Sequence, residues 1–318
     1  APVAGRTPPK PSLSFVKRRN TFYSWNASLW CVEAAMQGKE REKDMKMKKW
    51  GAIAVGAMMV ATLGMFGCSS NGGSSASSAA SDATSDAGYT LVKEGKLTVA
   101  TSPDFPPFEN LEGDEYVGFD IELARAIAAE LGVECEFTTV QFDGIVPAVQ
   151  AGGQVDVGIS GITIDPERAE SVVFSDPYYI ADQGVAVMKG GAITADNVDT
   201  ALNAEGMTIA VQSGSTGETF AQENYPNAKV QPYGNATDAF AAMQAGQANA
   251  VCMDLAVVEQ MLSSAYTDAE MVKKVATGEE YAVAVPKDNP ELLKAINAAI
   301  KTLQENGTID DLTARFLG

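Results

Sequence analysis

Residues 146–160 read VPAVQAGGQVDVGIS, and residues 240–254 read FAAMQAGQANAVCMD. The two align without a gap and share five of fifteen positions, Gln-Ala-Gly among them. Each passes from a helical stretch through a Gly turn into an apolar strand. The first strand ends on Ser160 and the second on Asp254. Ligands of open α/β sheets bind at the carboxyl ends of strands. The echo therefore predicts two similar α/β lobes, each presenting a polar group.

On either side the same alternation continues. Residues 97–101, 133–139 and 155–159 read as strands, with helices over 119–131 and 144–151. In the first helix Ile121, Ala124, Ile127, Ala128 and Leu131 share one face, and Gly132 is its stop. Residues 208–211, 229–233 and 250–253 read as further strands and 216–225 and 237–245 as helices, before closing helices over 289–305 and 308–316. This alternation implies sheets with helices on both faces.

Composition narrows the chemistry. The chain has 318 residues, 46% of them hydrophobic, which is enough for two cores plus appendages. It has no His, which excludes Ser-His-Asp and Cys-His catalysis and His-ligated zinc. No metal site or cofactor is expected; an enzyme built on carboxylates or Lys stays open. The net charge of −18 opposes nucleic acid as a partner, since phosphates need clustered Lys and Arg.

The charge is unevenly spread. Residues 1–44 carry eight Lys/Arg against four Asp/Glu, residues 45–67 add three Lys, and −25 remains on residues 68–318. Met45-Lys46-Met47-Lys48-Lys49 followed by the uncharged stretch 50–67 has the layout of a secretory signal. Its eighteen apolar-rich residues also sit at the lower limit for a retained membrane anchor. Cys68 comes next, and the arrangement resembles a bacterial lipoprotein signal, cleaved before a Cys that is then lipidated. Gly67 fits that pattern; Met65 and Phe66 depart from it. Residues 68–88, rich in Ser, Ala and Gly, would then be a flexible tether with a reach of roughly 25 Å. Residues 1–44 are expected to be a non-native upstream extension, the alternative being a disordered cytoplasmic tail. Cys135 and Cys252 are expected as buried free thiols.

Further segments carry a family resemblance. Thr101-Ser102-Pro103-Asp104-Phe105-Pro106-Pro107-Phe108, Tyr116-Val117-Gly118-Phe119-Asp120, VDVGISGITIDPER over 155–168 and Phe174-Ser175-Asp176-Pro177-Tyr178-Tyr179 resemble the polar amino-acid-binding proteins of bacterial ABC importers. The likeness runs in order from Lys96 to Gly318. It implies a type II periplasmic-binding-protein-like fold, two α/β lobes joined by two hinge strands. Lobe 1 would be 89–183 plus 279–318, and lobe 2 would be 184–278. It also implies an extracytoplasmic, membrane-anchored monomer that closes on an L-amino acid and passes it to an ABC permease.

An α-amino acid is a zwitterion, so a closed cleft must supply a cation and donors at one end and an anion and acceptors at the other. Arg168 suits the carboxylate because its planar fork binds both oxygens. Asp165-Pro166 reads as an N-cap with Pro at N1, which sets Arg168 in a helix's first turn. The resemblance implies that Thr163 and Thr216 add donors to the carboxylate and that Asp254, with Ser160 and Gly161, takes the ammonium. It implies that Phe105 and Phe142 pack on the ligand side chain. Taken alone, Asp254 also reads as a cap for the helix beginning at Leu255.

Side-chain specificity falls to Ser102, Asp104, Gln212 and Met253. Relatives that bind glutamine or basic amino acids commonly have Asp in place of Ser102, whereas here Asp104 lies two residues on. Gln212 and Met253 replace the Lys and His of the glutamine pattern. A polar uncharged or sulfur-containing amino acid is preferred, with a basic one held by Asp104 as the alternative. Competing functions are a cyclohexadienyl or arogenate dehydratase-like enzyme on the same fold and a ligand-sensing receptor module.

Overall fold

The computed structural model describes a two-residue strand, β1 (Ala83–Thr84), and residues 88–318. The extension 1–44, the signal 45–67, Cys68 and most of the tether lie outside the described residues. Within the stretch expected to be a tether, β1 pairs antiparallel with β2 (Thr90–Leu91).

The first sheet has the order β7 (Glu134–Thr139), β3 (Lys96–Thr101), β8 (Val157–Gly158), β15 (Ala284–Val285), β9 (Val173–Phe174). Strand β3 runs parallel to β7 and β8, and β15 runs antiparallel to its neighbours. Successive residues of β3 face opposite sides of the sheet. Leu97 and Val99 pack with Leu123 and Ile127 of the helix Phe119–Glu130 and Ile296 and Ile300 of the helix Pro290–Glu305. Ala100 packs with Ile145 and Val149 of the helix Phe142–Ala151. Both faces are thus covered by helices, as the alternation predicts. Strand β8 is shorter than the expected 155–159; just before it, the Asp156 carboxylate accepts from Val92 N and Thr98 N, both at 2.7 Å.

The second sheet has the order β12 (Lys229–Tyr233), β11 (Thr208–Gln212), β13 (Ala250–Asp254), β10 (Tyr179–Met188), β14 (Ala269–Tyr281). Ile209, Val211, Cys252 and Val185 form one core with Leu202 and Tyr225. Ala210, Val251 and Ala186 turn the other way, towards Phe240, Met243 and Val258. Cys135 and Cys252 are both free; Cys252 is buried, while Cys135 is only half-buried.

The chain leaves the first sheet after β9, enters the second through β10 and returns through β14 to β15. Strands β10 and β14 pair antiparallel from Tyr179↔Tyr281 to Met188↔Ala269, with register shifts between Ala181 and Gln183 and between Val185 and Ala186. Periodicity marks neither strand, although the family resemblance implies two hinge strands crossing near 183/184 and 278/279. Also unmarked is a small antiparallel sheet of β4 (Asp104–Phe105), β5 (Glu109–Glu112) and β6 (Glu115–Val117). Behind β6, Gly118 has φ 130°, and a Cβ there would lie 2.2 Å from the Phe108 carbonyl oxygen. Only Gly fits.

The two sheets face each other across a shut cleft. Ser213 Oγ donates to Asp143 Oδ2 at 3.0 Å. Arg168 Nη2 donates to the Gly214 carbonyl at 2.9 Å. The Ala236 N–H donates to Asp104 Oδ2.

Candidate functional site

Arg168 lies in a single helical turn, Pro166–Ala169, capped by Asp165, whose Oδ1 accepts from Glu167 N at 2.8 Å and Arg168 N at 3.1 Å. The cap fixes the direction of the guanidinium. Its Nη1 donates to the Thr163 carbonyl at 2.9 Å, its Nη2 reaches Gly214 across the cleft, and its carbon lies 5.3 Å from the centre of the Phe142 ring. Burial lowers the pKa of this group, while Asp165, Asp254 and Glu279 oppose that. Two N–H groups are engaged with carbonyls, leaving the rest of the five-donor fork for an anion.

Asp254 ends β13 and is 5% exposed. It stands at the N-cap of the helix Leu255–Ser264 but makes no side-chain capping bond. Its Oδ1 accepts instead from Gln183 Nε2 at 2.6 Å. Burial pushes its carboxyl up to about 8, with Glu279 adding to the rise and Tyr281 and Arg168 opposing it.

Gln183 and Glu279 join the predicted residues into one cluster, and neither was predicted. Gln183 Nε2 also reaches Glu279 Oε1 at 3.0 Å and Thr216 Oγ1 at 3.3 Å. Thr163 Oγ1 donates to Glu279 Oε2 at 2.9 Å. Thr163 is held beside Tyr281 by a bridge between their backbones, and Thr216 opens the helix Thr216–Asn224, capped by Ser215. The cluster thus draws on the first sheet's loop, the second sheet's strand ends and both hinge strands. The available signal was Gln183 itself: a fully buried amide in a hinge strand that needs partners.

A second group lies beneath the Ser160–Gly161 turn. Ser160 Oγ accepts from Ser102 N at 3.0 Å and donates to Glu109 Oε1 at 2.7 Å. The Gly161 N–H donates to Asp120 Oδ2 at 2.6 Å, and Tyr178 Oη donates to the same oxygen at 2.8 Å. Burial raises both carboxyls, Asp120 to about 7 and Glu109 well above its ordinary range, with Asp120's charge adding to the rise of Glu109. Gly161 has φ +55°, and a Cβ there would be 3.3 Å from both Phe105 and Tyr281.

Among the specificity candidates, Ser102 Oγ donates to Asp104 Oδ1 at 2.9 Å, and Asp104 spends its other oxygen on Ala236 N. Burial pushes the Asp104 carboxyl up to about 6. Both oxygens are therefore engaged. Gln212 and Met253 are buried, and both side-chain polar atoms of Gln212 lack a hydrogen-bond partner among the described residues. Phe105 is buried against Gly161 and stacks with Phe108 at 6.2 Å, whereas Phe142 lies beneath Arg168.

Comparison with known proteins places this geometry among relatives. Bacterial extracellular solute-binding proteins, family 3, match residues 97–318. ABC transporter arginine-binding protein 1 of Escherichia coli (strain K12) is 31% identical over 226 residues, 70% of this chain and 90% of the relative. The crystal structure of an ancestral amino acid-binding protein, a precursor of cyclohexadienyl dehydratase, is 37% identical with a TM-score of 0.65, covering 70% of this chain and 96% of that one. An ancestral arginine-binding protein bound to glutamine is 37% identical with the same TM-score, covering 71% and 99%.

Proposed function

The chain belongs to the bacterial extracellular solute-binding proteins, family 3, and from that premise we propose that its cleft captures an L-α-amino acid and delivers it to the permease of an ABC importer. The observation that carries this reading is one cluster containing Arg168 and Asp254, a cation and a buried carboxyl that an ammonium would ionise, reached from opposite sheets. Arg168, with Thr163 and Thr216, takes the ligand carboxylate. Asp254, with Ser160 and Gly161, takes the ammonium. Phe105 and Phe142 pack on the ligand's apolar atoms, and Ser102, Asp104, Gln212 and Met253 border its side chain.

Thermal-shift titration with the twenty standard amino acids tests this. A subset should raise the melting temperature in proportion to the logarithm of ligand concentration. No shift with any of them at millimolar concentration overturns the reading.

The body, 89–183 plus 279–318 as one lobe and 184–278 as the other, works as a monomer outside the cytoplasm. A lipidated Cys68 holds it at the membrane after removal of the signal 45–67. Among the described residues no helix is long and apolar enough to cross a membrane. Intact-mass analysis of protein from the native host should give a chain starting at a lipid-modified Cys68; an unmodified Cys68 sinks the anchor.

A second reading, a dehydratase, draws on the likeness to the precursor of cyclohexadienyl dehydratase. The binding role is preferred because Arg168 and Asp254 match the two ends of an amino acid. Turnover of arogenate by purified protein reverses that preference.

A further inference from the structure

Glu109 and Asp120 are fully buried beneath the turn that offers Ser160 and Gly161 to the ligand ammonium. They hold neighbouring residues of that turn. Ser102 N donates to Ser160 Oγ, and the Ser160 hydroxyl gives its own hydrogen to Glu109 Oε1 at 2.7 Å. The Gly161 N–H and Tyr178 Oη both donate to Asp120 Oδ2, at 2.6 and 2.8 Å. The Ser160–Gly161 peptide is trans, so its carbonyl and its N–H point opposite ways. With the N–H drawn onto Asp120, the Ser160 carbonyl is turned away from the two carboxyls.

The other two oxygens, Glu109 Oε2 and Asp120 Oδ1, are buried and receive no hydrogen from a donor among the described residues. The two carboxyls are nonetheless in hydrogen-bonding contact with each other. Ionised carboxylates only accept, so that contact needs a proton on one of the two. The titratable groups facing the pair are Asp104, whose charge acts on Glu109, and Tyr178 and Tyr281, whose hydroxyls burial keeps protonated. Among the described residues no Lys or Arg forms an ion pair with either carboxyl. Two ionised groups here would bury two unpaired charges. One shared proton removes a charge and satisfies both orphan oxygens.

We propose that Glu109 and Asp120 share one proton and act together as a positioning pair, fixing the Ser160–Gly161 turn in the form that receives the ligand ammonium. This rests on the amino-acid reading above and deepens it, by adding two residues that act through the turn and not on the ligand.

The test combines infrared spectroscopy with calorimetric titration of the full chain, using the standard amino acid that gives the largest thermal shift. Glu109→Gln or Asp120→Asn alone puts an amide N–H where the shared proton sits and leaves the other carboxyl ionised. At pH 7, without ligand, each single variant should therefore lose one protonated-carboxyl band relative to the wild type; Asp254 is common to all and cancels in the difference. Each should also bind within about threefold of the wild type. The double variant sets two amide groups face to face with no acceptor between them, and should bind about tenfold or more weakly, with melting curves as the folding control. An unchanged band in both single variants overturns the shared proton, and so does a tenfold loss of affinity in a folded single variant. Wild-type affinity in a folded double variant overturns the positioning role. If no amino acid binds the wild type, the amino-acid reading and the positioning role fail together, while the band still decides the shared proton.

Discussion

Arg168 is held locally by the Thr163 carbonyl and the capping Asp165, so its guanidinium is oriented without help from the opposite sheet. Arg168→Ala would leave a buried ligand carboxylate unpaired, at a cost of roughly 3–5 kcal/mol, or about two to four orders of magnitude in affinity. Calorimetric titration measures this, with melting curves as the folding control. Asp254 works against the empty fold. Its carboxyl is raised to about 8 from an ordinary value of 3.8, so the folded protein holds a proton that the unfolded chain releases. The resulting stability is fully present below the unfolded value and is lost as pH rises through about 8. The ligand-free melting temperature should therefore fall between pH 5 and pH 8.5, and Asp254→Asn should flatten that fall while strongly weakening binding. An ammonium bound to Asp254 favours the ionised form, so binding at pH 7 should release a proton. Titration in two buffers of different ionisation heat detects it, and a binding heat independent of buffer contradicts it. Arg168 and Asp254 were legible as candidates because they stand where elements begin or end, whereas Thr163 and Thr216 were suggested only by the family resemblance. Gln183 and Glu279 lie within strands, where a polar residue reads as an ordinary solvated one until its partners are known.

The helix Ala236–Gln244 shows how one element depends on the opposite sheet. Its own N-cap, Asn235, makes no capping bond, and Asp104 accepts from the Ala236 N–H instead. The cap exists only while the cleft is shut. Asp104→Ala should then weaken any ligand by between about twofold and thirtyfold, the range for a lost cap. Its effect on arginine and on citrulline should be the same. Titration with both ligands checks this, and a loss confined to arginine would return Asp104 to the role of counter-ion. Gly118 marks a second dependence: Gly118→Ala drives a Cβ into the Phe108 carbonyl and should cost at least about 2 kcal/mol, read by chemical denaturation. Most elements were legible from periodicity and Gly stops. Strands β10 and β14 were not, because their edge and hinge segments carry Asp182, Gln183, Lys273, Lys274 and Glu279, which break the alternation expected of a half-buried strand. The pairs at the small sheet β4–β6 were hidden by length alone, two to four residues each.

For the whole molecule, closure brings together groups from both sheets, and the ligand supplies the donors and the charge that the shut cleft lacks. Small-angle scattering should therefore show a smaller radius of gyration with saturating ligand than without it. Identical curves would mean that the cleft is already shut when empty. The connection between the sheets carries a different consequence. On the two strands that carry the chain into and out of the second sheet, Ala181 stands opposite Glu279, so everything between them is one uninterrupted stretch with adjacent ends. Such a stretch is a cassette. Recombination at those two points exchanges the second sheet's share of the binding surface in one piece. Chimaeras joined at Ala181 and Glu279 with a relative of different ligand preference should fold, as melting curves would show.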